Sequence, residues 1–151
     1  MTADTTHFAS GSLPPVPQRF ALPQADLNDL LQRPPIEMRI LIEQCLGDVP
    51  FALSLLEEFI DILSDRCEKM VQAIREANFT QLEVLAHALR GAAGYAAASQ
   101  LSQICARLED AASSEDLTQA RQLLQYVRAE IARCVQEFPN ITRKLSLAAT
   151  S

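Results

Sequence analysis

His87 and Arg90, three residues apart in the run AHALRGAAGYAAASQLSQICARLE, are the side chains of this sequence best suited to chemistry on a phosphoryl group. A deprotonated imidazole nitrogen can attack phosphorus, and a guanidinium one turn away places positive charge and oriented donors beside the oxygens in transit. At about 100° per residue on a helix, His87 lies roughly 160° from Leu85 and from Leu89, so the imidazole faces water while the leucines face a core. Exposure alone describes any surface histidine, and position alone any solvated helix arginine. The neighbours add weight: Gly91 lies one turn beyond His87 on the same side, and Gly94 and Ala98 extend a surface with little side-chain bulk. Each interior glycine costs a helix about 1 kcal/mol relative to alanine. Close approach of a second protein explains that cost; tight packing against another helix of the same bundle and simple tolerance in a stable bundle are the competing explanations. Val84 and Tyr95, near the same face, are candidate apolar anchors for a partner.

Further along, Glu109 is placed either to accept a hydrogen bond from the ring nitrogen of His87 that does not react, fixing the tautomer, or to stand as a solvated helix carboxylate. The chain has neither a GxxxxGK loop nor a glycine-rich kinase loop. A phosphoryl donor is therefore expected to be another protein, and the chain is not expected to act as an autonomous ATP-dependent kinase.

The elements that must position these residues are helical. From Pro50 to Ala77, apolar residues Phe51, Leu55, Leu56, Phe59, Ile62, Leu63, Cys67, Met70 and Ile74 return at three or four, with the start marked by Asp48 or Val49 ahead of Pro50. A shorter helix, roughly Glu37 to Leu46, precedes it and ends at Gly47. Thr80 with Glu83 reads as a capping box, with Phe79 and Val84 as a hydrophobic staple, ahead of the stripe Leu82, Leu85, Ala86, Leu89, Ala93 and Ala96. Ser99 reads as the cap of a helix carrying Leu101, Ile104, Cys105 and Leu108. Ser113 with Asp116 reads as a second capping box before Leu117, Leu124, Val127, Ile131, Cys134 and Phe138, a helix that Pro139 is expected to close. Short connections between these stripes imply an all-α fold, an antiparallel up-and-down four-helix bundle with a short additional N-terminal helix.

With 151 residues, 48% of them hydrophobic, the chain supports one domain with a sizeable core. Six of the eight prolines fall between residues 14 and 35, so residues 1–35 read as a flexible proline-containing segment, 36–139 as the bundle and 140–151 as a tail. A net charge of -6 disfavours nonspecific attraction to nucleic acid or to an anionic membrane. No 18-residue apolar run and no export signal are evident, which favours the cytoplasm. Cys45, Cys67, Cys105 and Cys134 lack CxxC spacing and sit in apolar helical patterns, as buried thiols do.

Over about residues 38 to 138 the sequence resembles a histidine-containing phosphotransfer (Hpt) domain, through His87, Leu89, Arg90 and Gly91 followed by Leu101, Cys105, Leu108 and Glu109 at matching distances. The resemblance implies a helical bundle whose exposed histidine accepts a phosphoryl group from the aspartate of a response-regulator receiver domain or a hybrid histidine kinase, and passes it to another receiver in a two-component phosphorelay. Carried onto this chain, His87 is the phosphorylated residue, Arg90 takes the basic place beside it, Gly91 keeps the docking face open, and Glu109 holds a position that orients the histidine in some relatives. Ala97 departs from the family's usual later glycine. No intrinsic cofactor or metal is implied; a divalent ion such as Mg belongs to the partner receiver. The chain is expected to be a monomer, and its charge and hydropathy favour no nucleic-acid or membrane partner. Two other readings compete: a noncatalytic adaptor that docks signalling proteins through the His87, Gly91 and Gly94 face, and an enzyme that dephosphorylates a receiver and releases inorganic phosphate.

Overall fold

A computed structural model describes residues 32–150, with side chains to Ala148. Within them the apolar periodicity becomes five helices: α1 (Met38–Gln44), α2 (Val49–Arg75), α3 (Phe79–Tyr95), α4 (Ser99–Ser113) and α5 (Leu117–Thr150). The principal contacts run α2 to α3, α3 to α4, α4 to α5 and α5 back to α2. The result is the antiparallel up-and-down four-helix bundle that the stripes imply, with α1 as the short extra helix. Leu56, Leu63 and Met70 of α2 are fully buried with Leu82 and Leu89 of α3, Leu101, Ile104 and Leu108 of α4, and Leu123 of α5. Phe51 is a departure from the expected stripe: in the first turn of α2 it is about half exposed, at 54%.

The four connections share one conformation. Leu46, Ala77, Ala97 and Glu115 each have φ between 51° and 59°. The next residue's N–H reaches back to a carbonyl of the preceding helix, Gly47 to Ile42 at 2.9 Å, Asn78 to Ala73 at 2.8 Å, Ala98 to Ala93 at 2.8 Å and Asp116 to Ala111 at 2.9 Å. This is the Schellman pattern, which satisfies the last carbonyls of a helix. In the last three turns the donor residue also begins the next helix, so one residue closes one element and opens another. Glycine is the usual occupant of the left-handed position because other residues cost about 1–2 kcal/mol there. Ala97 stands at such a position and is buried there.

These turns also correct the expected caps. Asn78, not Thr80, caps α3: its side chain accepts from Gln81 N at 3.0 Å, leaving Glu83 without a capping role. The residues flanking that cap are Ala77 and Leu82, so Val84 is not part of a staple and lies exposed. Asp116 caps α5 through Gln119 N at 3.0 Å, while Ser113 is the last residue of α4. Ser99 is the first residue of α4 rather than its cap, and its hydroxyl donates to Glu37 at 2.7 Å. The cap lies two residues before Thr80, one before Ser99 and three after Ser113, because each boundary is set by the left-handed turn that precedes it.

Pro139 does not close α5, which continues to Thr150. Proline inside a helix removes a hydrogen bond and costs about 3 kcal/mol. Burial of Ile141 and Leu145, continuing the stripe from Cys134 and Phe138, offsets that cost. Ile141 lines a cavity with Ile36, Met38 and Ile40, and residues 140–148 continue the bundle's last helix.

Residues 1–31 of the expected flexible segment lie outside the described residues. Its end is held as a strap: Gln100 donates to the Pro34 carbonyl at 2.8 Å, Arg133 donates to the Arg33 carbonyl, and Glu37 N donates to Ala97 O at 3.0 Å. Pro35 and Ile36 are buried. All four cysteines are free; Cys45, Cys105 and Cys134 are buried and Cys67 is half-buried. Burial pushes the Cys134 thiol up to about 12 and that of Cys105 higher still, so neither presents a thiolate at neutral pH.

Candidate functional site

α3 owes its site to the mismatch between its two faces. Leu82, Leu85, Ala86, Leu89 and Ala93 bury one stripe, and His87 projects from the opposite side with 64% of its side chain exposed. Arg90, one turn on, is 41% exposed, and Glu109 reaches across from α4 with only 18% of its side chain accessible.

Glu109 joins the other two. Its Oε2 lies 2.9 Å from His87 Nδ1, and its Oε1 lies 3.1 Å from Arg90 Nη1, an ion-pair contact without hydrogen-bond alignment. Arg90 Nη2 is also 3.4 Å from His87 Nδ1. An arginine cannot accept a proton and a carboxylate cannot donate one, so these two contacts require opposite states of Nδ1. The shorter contact to the less exposed carboxylate decides it: Nδ1 carries the proton and donates to Glu109, and the Arg90 contact is electrostatic proximity. In that tautomer the lone pair is on Nε2, which has no hydrogen-bond partner among the described residues. Of the two readings of Glu109, the structure therefore places it beside the imidazole rather than in solvent.

Arg90 is itself anchored, since Ser102 Oγ donates to its backbone carbonyl at 3.0 Å. Gln44, at the end of α1, donates its amide to Tyr95 O at 2.9 Å and Gly94 O at 3.2 Å once the amide is oriented to satisfy both of its atoms. Gln44, Arg90, Gly91, Gly94, Tyr95 and Ser102 line a groove beside His87. Neither Ser102 nor Gln44 was foreseen. Ser102 carried a weak signal, a polar residue one turn into α4 on the side turned toward α3; Gln44 carried none, because its role depends on how α1 folds back.

The small residues separate into two groups. A Cβ built on Gly91 meets nothing within 4 Å, and one on Gly94 meets only Ser102 Oγ at 4.0 Å. Packing within the bundle therefore does not require either glycine, and the competing explanation of tight helix packing fails at both. Ala98 is different: it is fully buried at the start of α4, and so it is not part of the exposed face to which it was assigned. Val84 at 57% and Tyr95 at 71% exposure remain available on the outside.

The match to known proteins agrees with this geometry. A model of the Hpt domain matches residues 54–137, more than half of the chain. The chain belongs to the Hpt domain family. That membership carries a phosphorelay role of the generic kind. Among solved structures, the Hpt fold recurs in histidine-containing phosphotransfer protein B (HptB) from Pseudomonas aeruginosa PAO1, at TM-score 0.68 and 21% identity over 75% of this chain and 98% of that one. It recurs again in the HPT domain of a sensor hybrid histidine kinase from Shewanella, at TM-score 0.61 and 17% identity over 74% of this chain and 94% of that one. No curated protein matches the sequence. Among the described residues of this Hpt protein, no helix is long and apolar enough to cross a membrane.

The open space over Gly91 gives a prediction with two opposite signs. Gly91→Ala is expected to stabilise the isolated protein by about 0.5–1 kcal/mol, because it removes backbone entropy without a clash. It is also expected to slow exchange with a partner by crowding the approach to His87. Thermal unfolding and transfer rates on the same sample measure both.

Proposed function

We propose that this protein relays phosphoryl groups between receiver domains through Nε2 of His87. The observation that carries the reading is the exposed imidazole whose Nδ1 is held at 2.9 Å by Glu109, which leaves Nε2 as the nucleophile. Nε2 forms a bond to phosphorus as the acyl phosphate O–P bond of a receiver aspartate breaks, and the electron pair leaves with the aspartate carboxylate. No proton need be lost. With Nδ1 still protonated, the phosphorylated ring carries positive charge beside the Glu109 carboxylate, and Arg90 stands beside the transferring oxygens. The receiver's divalent ion supplies further charge neutralisation when the partner docks.

The chemistry also favours His87 over the other nucleophile nearby. Cys105 is buried and its thiol is held protonated by desolvation, which outweighs the charge of Arg90. Docking is assigned to Val84, Gly91, Gly94 and Tyr95 around the histidine, with response regulators and hybrid kinases as the partner class.

Exposure of the protein to a panel of phosphorylated receiver domains, with protein-bound and free phosphate followed separately, tests the reading. A relay gives phosphate on this chain that a second receiver can remove. Binding without transfer supports the adaptor, and inorganic phosphate released without a protein-bound, transferable intermediate supports a phosphatase; either result overturns the relay.

A further inference from the structure

The last turn of α3 carries part of the face around His87 and has little helix propensity of its own. Gly91 and Gly94 each lack the backbone restraint that alanine would supply, and packing within the bundle requires neither. Tyr95, the final residue, is 71% exposed. Helix ends fray at almost no cost, so this end needs an external hold if Gly94 and Tyr95 are to present a fixed surface to a partner.

The four terminal carbonyls of α3 show where that hold comes from. Ala92 O accepts from Ala96 N at 3.1 Å, Ala93 O from Ala98 N at 2.8 Å and Gly94 O from Ala97 N at 3.2 Å. Among the described residues no backbone N–H reaches Tyr95 O. The side-chain amide of Gln44 fills that place, 2.9 Å from Tyr95 O and 3.2 Å from Gly94 O, so its two N–H groups serve two carbonyls. Gln44 is the last residue of α1, and the start of α1 is tied to the same corner of the bundle. There Ser99 Oγ donates to the Glu37 carboxylate at 2.7 Å, and Glu37 N donates to Ala97 O at 3.0 Å. α1 is thus fastened at both ends to the α3–α4 connection.

Building on the relay reading, we propose that Gln44 is a positioning residue for receiver docking. It fixes the last turn of α3, and with it Gly94 and Tyr95, so that α1 governs affinity for the receiver and leaves the phosphoryl step unchanged. His87 lies two turns upstream of Tyr95, where Leu85 and Leu89 are buried and Glu109 holds the ring. Loss of the Gln44 amide lowers the fraction of molecules in which the turn is formed, and apparent affinity falls with that fraction.

The test uses full-length Gln44→Met and Gln44→Lys. Methionine and lysine are unbranched like glutamine and similar in helix propensity, so α1 itself is preserved. Methionine has no donor, whereas a lysine ammonium donates to carbonyls at a helix C-terminus. In Gln44→Met, amide exchange at Ala96, Ala97 and Ala98 should accelerate by about threefold to tenfold, as for one or two lost exposed hydrogen bonds. Exchange at Leu85 and Leu89 should not change. The KM for a phosphorylated receiver and the Kd for that receiver should rise by a similar factor while kcat stays constant. Gln44→Lys should restore exchange, KM and Kd at low and high salt alike, because a surface charge acting on the receiver alone would be screened. Wild-type exchange or wild-type KM in Gln44→Met would overturn the proposal, as would faster exchange throughout α3, a fall in kcat, or no rescue by lysine. The relay reading fails separately, if the wild-type chain takes no phosphate from receivers that bind it; Gln44 is then judged by exchange and Kd alone. A wild-type chain that binds no receiver overturns both.

Discussion

The His87→Gln protein is expected to accept no phosphoryl group from any receiver while keeping its fold and its affinity for that receiver. The imidazole is the nucleophile, and glutamine offers an amide nitrogen whose lone pair is delocalised into its carbonyl, so no slower version of the same step remains. The fold should be almost indifferent, because most of the His87 side chain is in solvent, and substitutions at such positions usually change stability by within about 0.5 kcal/mol. Receiver binding should persist because Gly91, Gly94, Val84 and Tyr95 are untouched. Circular dichroism, a binding assay and a transfer assay on one preparation separate the three quantities. Residual transfer in this protein would move the phosphorylated residue elsewhere.

The second large effect is expected at the carboxylate that serves both neighbours. Glu109→Ala removes the acceptor that keeps the proton on Nδ1 and the ion pair that holds Arg90. For histidines that ligate metals, loss of such an orienting partner costs about 10–100-fold in affinity or activity, and the same orientation argument gives a loss of about that size in transfer rate here. Glu109→Gln should fall between, since an amide oxygen still accepts from Nδ1–H but brings no charge. Arg90→Ala removes charge beside the phosphoryl oxygens and should slow transfer with little loss of fold. Because Glu109 contacts both His87 and Arg90, the double variant Arg90→Ala/Glu109→Ala should lose less than the product of the two single losses. Multiplicative losses would show that the two side chains act independently, contrary to the shared contact.

The stripes of Leu82, Leu85 and Leu89 and of Leu101, Ile104 and Leu108 made the bundle legible, because period 3.6 burial leaves a direct trace in residue type. The helix starts were legible only where the cap was local to a proline, as at Asp48. At Thr80, Ser99 and Ser113 the hydroxyls put the cap one to three residues away from its place. The turns are set instead by left-handed Ala77, Ala97 and Glu115, and nothing in alanine or glutamate advertises that conformation. Pro139 misled for a related reason: a strong local penalty was outweighed by burial of Ile141 and Leu145, a tertiary effect.

The site was more legible than its setting. His87, Arg90 and Gly91 lie within five residues on one helix, so their common face followed from helical geometry alone. Glu109 was a choice between two orientations that only the packing of α4 on α3 could settle. Ala98 read as part of the open face because helical spacing was extended past Tyr95, where α3 ends and the chain turns inward. Gln44 and Ser102 reach the groove from other elements, and their contribution is tertiary throughout.

The central claim is that His87 bears the phosphoryl group on the nitrogen that Glu109 leaves free. Its most direct test is nitrogen NMR of the ring in protein phosphorylated by a receiver, which distinguishes substitution at Nε2 from substitution at Nδ1. The account predicts a phosphorus–nitrogen bond at Nε2 of His87 with the proton retained on Nδ1. Phosphate on Nδ1, or on any residue other than His87, would contradict it.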